Sequence, residues 1–210
     1  MKLSAPDIRA LIMAEVGHQS SAPRAQLLRR FSGRLPHRRT ALKWLHWGIL
    51  PFFVWFLFAD PDALRRMGPR VFQFHSLMGL AFVTLALVWT GFYLRRGLLS
   101  RPGPKLRGWA RRVHRPLHLC LIWGVFLVAF GGFLLGLTAS FQMKAGGFVP
   151  IGVPLNLPGA HHWIGLVHIY QFYALAGLVV FHAGFHLWRH LRLKDNALRI
   201  MVPKVLHRYL

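Results

Sequence analysis

Residues 168–182 read HIYQFYALAGLVVFH, an apolar stretch with a histidine at each end. Because an α-helix turns once in about 3.6 residues, this separation places His168 and His182 on nearly the same face, roughly 21 Å apart along the axis. An ionisable side chain at membrane depth is costly, so each histidine is a candidate functional residue. The sequence therefore predicts one helix that carries a polar site near each of its ends.

The stretch belongs to one of four long apolar blocks in the chain. Hydrophobic residues make up 54% of the 210 residues, and five residues are acidic. The blocks cover approximately residues 41–59, 71–94, 114–139 and 162–188. Each block approaches or exceeds the roughly 20 residues that span a bilayer as a helix. We therefore expect an all-α fold, an integral membrane four-helix bundle within residues 37–203.

Positive charge is distributed unevenly between the connections of this bundle. Of the 27 Lys and Arg residues, 23 lie before Trp44, between Arg95 and Arg115, or from Arg189 onward. The other four lie in the two remaining connections. The positive-inside rule then predicts that both termini are cytoplasmic. Basic loops at a membrane surface explain the net charge of +22, and they can contact anionic lipid, so we expect no nucleic-acid partner.

The chain has a segment on each side of the bundle, and it contains a single cysteine. Residues 1–36 are predicted to form a cytoplasmic N-terminal extension, and residues 204–210 a cytoplasmic tail. Cys120 is the only cysteine, which excludes an internal disulfide and a Cys-x-x-Cys-His site for covalent haem. Any haem that the chain carries must therefore be bound non-covalently.

Two more histidines match the first pair in depth. The first span runs outward and the second and fourth run inward, so His46 and His182 share the cytoplasmic depth. His75 and His168 share the periplasmic depth by the same reasoning. Each pair can ligate one iron from opposite sides through neutral imidazole, as in cofactor sites between facing helices. The sequence predicts two haem b groups, an inner one and an outer one, with these four histidines as axial ligands.

Glycines near the histidines allow two explanations. Gly48, Gly79 and Gly184 lie within one turn of His46, His75 and His182, respectively. A missing side chain leaves flat space for a porphyrin beside its ligand. Small residues also let membrane helices pack closely, and the sequence does not decide between the two roles.

Spacing alone leaves the ligand on the fourth span open. His186 lies five helical turns from His168 and so shares its face with His182. Five further histidines lie near the predicted membrane surfaces, where anchoring or hydrogen bonding is the expected role: His114, His118, His161, His162 and His190.

Over residues 37–203 the chain resembles the bacterial cytochrome b561 family. The resemblance rests on Leu45-His46-Trp47, on His75-Ser76-Leu77-Met78-Gly79, and on Lys194-Asp195-Asn196 after the last span. In the family, one histidine lies twelve residues before the Lys-Asp-Asn motif and another lies fourteen residues earlier. His182 and His168 fit both spacings, so the resemblance favours His182 over His186 as the inner ligand.

The resemblance implies a dihaem protein of the bacterial inner membrane that exchanges electrons with quinone. One branch of the family oxidises superoxide on the periplasmic side and reduces ubiquinone. This chain has Ile169 where that branch has glutamate. We expect the chain to transfer electrons between a periplasmic donor and the quinone pool. If the chain acts like that branch, the donor is superoxide. Arg189 and His190, with Trp44, Trp47 and Trp188, form a predicted quinone site beside the inner haem; an ordinary interfacial belt is the alternative explanation of this cluster.

Two other functions agree with parts of the pattern. The chain could be a membrane-anchor subunit that relays electrons for a periplasmic dehydrogenase or hydrogenase, whose cytochrome subunits have the same fourteen-residue histidine spacing. The apolar connection at residues 146–158 would then dock that periplasmic redox partner. A haem-free transporter with a histidine proton relay explains less, because relay histidines need not match in depth.

Overall fold

The computed structural model describes residues 38–98, 100–195, 197–202 and 207. The chain divides into two units, residues 1–41 and 42–210. Of the first unit, residues 38–41 are described, and they form the first turn of a helix. The predicted cytoplasmic extension at 1–36 lies outside the described residues. So does the predicted tail at 204–210, apart from residue 207.

Four long helices dominate the second unit, and each is long and apolar enough to cross a membrane. The chain is therefore an integral membrane four-helix bundle. In order, the helices and strands are α1 (Arg38–Phe58), α2 (Pro61–Arg66), α3 (Pro69–Arg96), α4 (Gly108–Thr138), β1 (Lys144–Ala145), β2 (Val149–Pro150), α5 (Pro158–Trp188), a π-helix (Arg189–Leu193) and α6 (Ala197–Met201). The spans are α1, α3, α4 and α5 with its π-helical continuation.

The spans extend beyond the predicted apolar blocks, most of all at the starts of α4 and α5. Helix α4 begins at Gly108 rather than near His114, and α5 begins at Pro158 rather than near residue 162. Arg111, Arg112 and Arg115 interrupt the apolar pattern at the start of α4, although the backbone there is helical. Basic residues at a span end mark the membrane surface and not the end of the helix.

An apolar layer fills the middle of the bundle, between the two histidine depths. Its buried members are Ile49, Phe53, Phe82, Ala86, Val128, Ala129 and Leu175. On α1, α3 and α5 these residues lie between the histidines near one end of the bundle and those near the other. We call the two ends the His46 end and the His75 end.

The four spans are not equally close to one another. Helix α4 packs closely against both α3 and α5, whereas α1 has no sustained close backbone contact with another span in the described part of the chain. Long aromatic side chains bridge the wider gap, with ring centroids 5.4 Å apart for Phe53–Phe172 and 5.6 Å for Phe56–Phe82. Helix α5 is thus close to α4 but farther from the two helices that carry His46 and His75.

Large apolar side chains cover the outside of the bundle. On α5 the exposed fractions reach 72% for Val180 and 67% for Trp163. A soluble protein rarely exposes an apolar surface of this extent, and lipid is the solvent that suits it.

The connection between α4 and α5 folds back onto the His75 end. Strands β1 and β2 pair antiparallel, and the turn between them contains Gly146 and Gly147, with φ of 64° and 85°. Gly146 N–H donates to the Gln73 carbonyl on α3 at 3.0 Å, and Leu155 N–H donates to the Leu137 carbonyl on α4 at 2.8 Å. The connection therefore contacts both the beginning of α3, through the hairpin turn, and the end of α4, through Leu155.

At the His46 end, the segment after α5 contacts α1. Lys194 has a left-handed backbone (φ 45°), which ends the π-helix and turns the chain into α6. Lys43 Nζ donates to the Val202 carbonyl at 2.7 Å, and Trp47 Nε1 donates to the Met201 carbonyl at 2.8 Å. The turn that contains His46 is thus tied to the end of α6.

Candidate functional site

The structure brings His75 and His168 together at one end of the bundle. The two imidazoles are close enough to interact electrostatically, and both are partly buried. Aromatic rings enclose His75: Phe72 stacks at 6.3 Å with planes 12° apart, and Phe56 meets it edge-on at 5.1 Å. The fit of these rings limits the orientations open to the His75 imidazole.

Glycines of α4 determine how closely His168 approaches that helix. A Cβ placed on Gly131 would lie 2.9 Å from His168 Nδ1, and one on Gly132 would lie 3.4 Å from Cε1. The His168 ring also lies against the backbone of Val128. Sequence reasoning missed these glycines because it considered glycines only near histidines of the same helix.

The three glycines that the sequence did single out have open space beside them. No side-chain atom lies within 4 Å of a Cβ placed on Gly48, Gly79 or Gly184. Close helix packing, one of the two explanations left open, would put a neighbouring helix at that distance. These glycines therefore do not pack against another described helix, and the space beside them suits either a porphyrin or lipid; Gly184 is exposed.

His46 and His182 also come together, at the opposite end. His182 interacts electrostatically with His46, and with His114, His118 and His186 as well. The Trp89 ring of α3 lies 6.2 Å from the His46 ring. This end therefore contains three histidines near His182 besides the one that the sequence paired with it.

Three of these histidines have nitrogen atoms close enough to share a metal ion. Ligand nitrogens of His118, His182 and His186 all lie within 4.8 Å of one another. The ring centroid of His182 is 5.0 Å from that of His118 and 4.5 Å from that of His186. The structure by itself thus places His182 and His186 in one cluster, as their shared helix face requires.

A closed set of hydrogen bonds orients His118. Its Nδ1–H donates to the His114 carbonyl at 2.6 Å, which leaves Nε2 as an acceptor. Ser100 Oγ lies 3.1 Å from that Nε2 and 3.2 Å from His114 Nε2. His114 is 1% exposed, so hydrogen bonding rather than surface anchoring is its role. Sequence reasoning placed both histidines at the membrane surface and did not connect them with Ser100.

The predicted quinone-site residues fall into separate sets of contacts. Arg189 is 3% exposed, and its Nε and Nη2 donate to Asp195 Oδ2 at 2.8 and 2.6 Å. Trp188 packs against Trp109 and Phe185, while Trp47 donates to α6. Trp44 is 73% exposed. His190 Nδ1 is buried and has no hydrogen-bond partner among the described residues.

Basic side chains and a small cavity lie at the His75 end. Arg65 lies over the Phe72 ring at 5.0 Å and interacts electrostatically with His75. A cavity of 210 Å³ lies between the start of α3 and the hairpin, lined by Pro69, Phe72, Gln73, Ser76, Phe141, Gln142, Met143 and Lys144. Histidines 161 and 162 are also at this end, with His161 Nδ1 3.2 Å from Thr138 Oγ1 and His162 exposed.

These arrangements fit two haem groups with two imidazole ligands each. The buried Nδ1 atoms of His46, His75 and His182 have no hydrogen-bond partner among the described residues, a feature that they share with His114 and His190. A buried polar atom usually has a partner, such as an ordered water, an ion or a bound group. The helices that carry each facing pair also lack sustained close backbone contact, which leaves room for a flat group between them.

Comparison with known proteins gives one match. A family model described as prokaryotic cytochrome b561 matches residues 37–204, about four-fifths of the chain. Comparisons with curated proteins and with solved structures gave no match.

Proposed function

Because the chain belongs to the prokaryotic cytochrome b561 family, and is therefore a membrane b-type cytochrome of electron transfer, we propose that it carries two haem b groups. His46 and His182 are the axial ligands of the inner haem, and His75 and His168 those of the outer haem. The observation that supports this assignment is the proximity of His46 to His182 and of His75 to His168, at opposite ends of one bundle.

The proposed topology places both termini in the cytoplasm of a bacterium, with the bundle in the inner membrane. The four basic residues of the His75 end, against 23 elsewhere, support this orientation. The inner haem is then near the cytoplasmic surface and the outer haem near the periplasmic surface. Electrons would cross the membrane between a periplasmic donor and the quinone pool.

The protein contributes position and surroundings to this reaction. When bound, each haem accepts and releases one electron, which is the chemistry of the cofactor itself. Two imidazole ligands for each haem would leave no position at the iron for oxygen, so this ligand set would favour electron transfer without binding of substrate to iron. The Phe72 and Phe56 rings around His75 and the glycines beside His168 hold the outer ligands in place.

We place the quinone site at the cytoplasmic end, with Arg189 and His190 as its polar residues. A quinone needs an apolar slot and one or two convergent donors. His190 has a buried nitrogen without a partner among the described residues, and two of the five N–H donors of Arg189 go to Asp195. Both residues therefore retain donor capacity for a quinone carbonyl.

One observation favours a second function, that of an anchor subunit without catalysis of its own. The connection between α4 and α5 exposes large apolar side chains at the periplasmic end, with Phe148 71% and Val153 77% exposed. Such a surface suits a periplasmic redox partner, which would deliver electrons to the outer haem in place of superoxide.

Haem content tests the proposed function directly. The purified chain, reduced with dithionite, should show a b-type spectrum, and extraction should yield two haem b groups for each chain. A chain with one haem, or with none after expression in haem-sufficient cells, would contradict the proposal. His162→Ala changes an exposed histidine near the outer site. It is the control for variants of the four proposed ligands and should retain both haems.

A further inference from the structure

A buried ion pair lies beside the histidine cluster at the His46 end. The side chain of Arg189 is 3% exposed and that of Asp195 is 10% exposed. Both the Nε and the Nη2 of Arg189 donate to the same carboxylate oxygen, at 2.8 and 2.6 Å. Asp195 belongs to the Lys-Asp-Asn motif that follows the last span, so the pair joins that motif to the π-helix.

The connection between α3 and α4 shields this pair from water. A Cβ on Gly103 would lie 3.3 Å from Arg189 Nη2 and 3.9 Å from Asp195 Oδ2. Leu106 is fully buried, and Lys105 Nζ donates to the Lys194 carbonyl at 3.0 Å. Charges shielded from solvent act over longer distances than exposed ones, because the local dielectric is low.

The two charges act on the neighbouring histidines with opposite sign. His114 and His186 each interact electrostatically with Arg189 and with Asp195. His118 interacts with Arg189. His186 and His118 both contact the His182 ring, so one layer of imidazoles separates the pair from the position of the proposed inner ligand.

We propose that the Arg189–Asp195 pair sets the reduction potential of the inner haem, with Asp195 cancelling most of the positive field of Arg189. The inference rests on the proposed haem between His46 and His182. Oxidised haem carries one more positive charge than reduced haem. A nearby positive charge therefore favours the reduced form and raises the potential, and a negative charge lowers it. Asp195 thereby has a role in the reaction although it is not an axial ligand.

Three variants of the full chain test the proposed effect on the haem potential. Each is titrated with redox mediators in the absence of quinone, and the haem absorbance is recorded during the titration. Asp195→Asn should raise the potential of the inner haem, and Arg189→Gln should lower it. The double variant should return close to the wild-type value. The outer haem should keep its potential in all three. Arg192→Gln is the matched control, because Arg192 is on the same π-helix but exposed, and water screens its charge.

The signs of the shifts in the inner-haem potential distinguish an electrostatic role of the pair from a structural one. Damage to packing would move both single variants in the same direction or release the haem, whereas the proposed role requires opposite shifts that cancel. Shifts of the same sign, equal shifts of both haems, or no shift would overturn the proposal. If one single variant does not fold, the inner-haem potential of the other single variant is compared with that of the double variant, and the sign of the difference tests the proposal.

Haem content is measured before each titration. A wild-type chain that lacks the inner haem would refute the proposed function, and unchanged potentials in a two-haem chain would refute this inference alone.

Discussion

The imidazole of His168 lies in the space that a side chain at position 131 would need. A Cβ on Gly131 would approach His168 Nδ1 to 2.9 Å, closer than such atoms pack in proteins. The glycine is on α4 and the histidine on α5, the two helices that pack most closely in the bundle. Close packing of α4 and α5 therefore fixes the depth and orientation of one proposed haem ligand.

Gly131→Ala should selectively impair the outer haem. The added methyl group forces the His168 ring away from α4, and overpacking of this kind costs about 1–3 kcal/mol of stability. We expect a lower content of the outer haem or a shift of its potential, with the inner haem unchanged, measured by haem extraction and redox titration. Gly165→Ala is the control, because its Cβ would make an ordinary contact of 3.7 Å with Leu135. Wild-type behaviour of Gly131→Ala would show that His168 does not need its present position.

Variants of the inner cluster should distinguish the axial ligand from its neighbours. His182→Ala should lose the inner haem, while His186→Ala and His118→Ala should retain it, because only His182 fits both family spacings. The measurement is haem content with the absorbance spectrum of the reduced protein. Retention of the inner haem in His182→Ala together with its loss in His186→Ala would reassign the ligand within the cluster.

The quinone site should respond to changes at both of its proposed residues. His190→Ala and Arg189→Gln remove donors from the site, so oxidation of the reduced protein by a soluble quinone should slow while both haems remain bound. For Arg189→Gln we expect the loss of the donor to outweigh the lower inner-haem potential, which by itself favours oxidation. Stopped-flow absorbance measures that rate, and His162→Ala at the other end of the bundle is the control. If neither change slows the reaction, the quinone binds elsewhere, and the cluster around His118 becomes the next candidate.

Superoxide as donor would make reduction of the outer haem depend on salt. Arg65, Arg66 and Arg70 are exposed at the end of α2 and the start of α3. Their attraction for a small anion is screened over about 8 Å at physiological ionic strength. Haem reduction by superoxide should therefore slow with added salt, and slow further when all three are replaced by Gln. A rate that responds to neither change would favour the anchor-subunit function, in which a docked protein delivers the electrons.

The four spans could be predicted from the sequence, whereas the pairing of His46 with His182 and of His75 with His168 as haem ligands stays a prediction. Each apolar block is long enough to span a bilayer, so the blocks give the number of spans. The fourteen-residue separation places His168 and His182 on one face of a helix. The approach of His118 to His182 could not be predicted in this way, because it depends on how α4 is rotated against α5. The role of Gly131 was missed for the same reason. The Arg189–Asp195 pair depends on a π-helical turn that no sequence pattern indicated.

The ligand pairing is tested most directly by determining which haem each single histidine variant loses. His46→Ala, His182→Ala, His75→Ala and His168→Ala would each be purified, and the remaining haem identified by its potential and low-temperature spectrum. We expect the first two variants to lose one haem and the last two to lose the other. Loss of the same haem from His46→Ala and His168→Ala would contradict both the pairing and the proposed arrangement of the two sites.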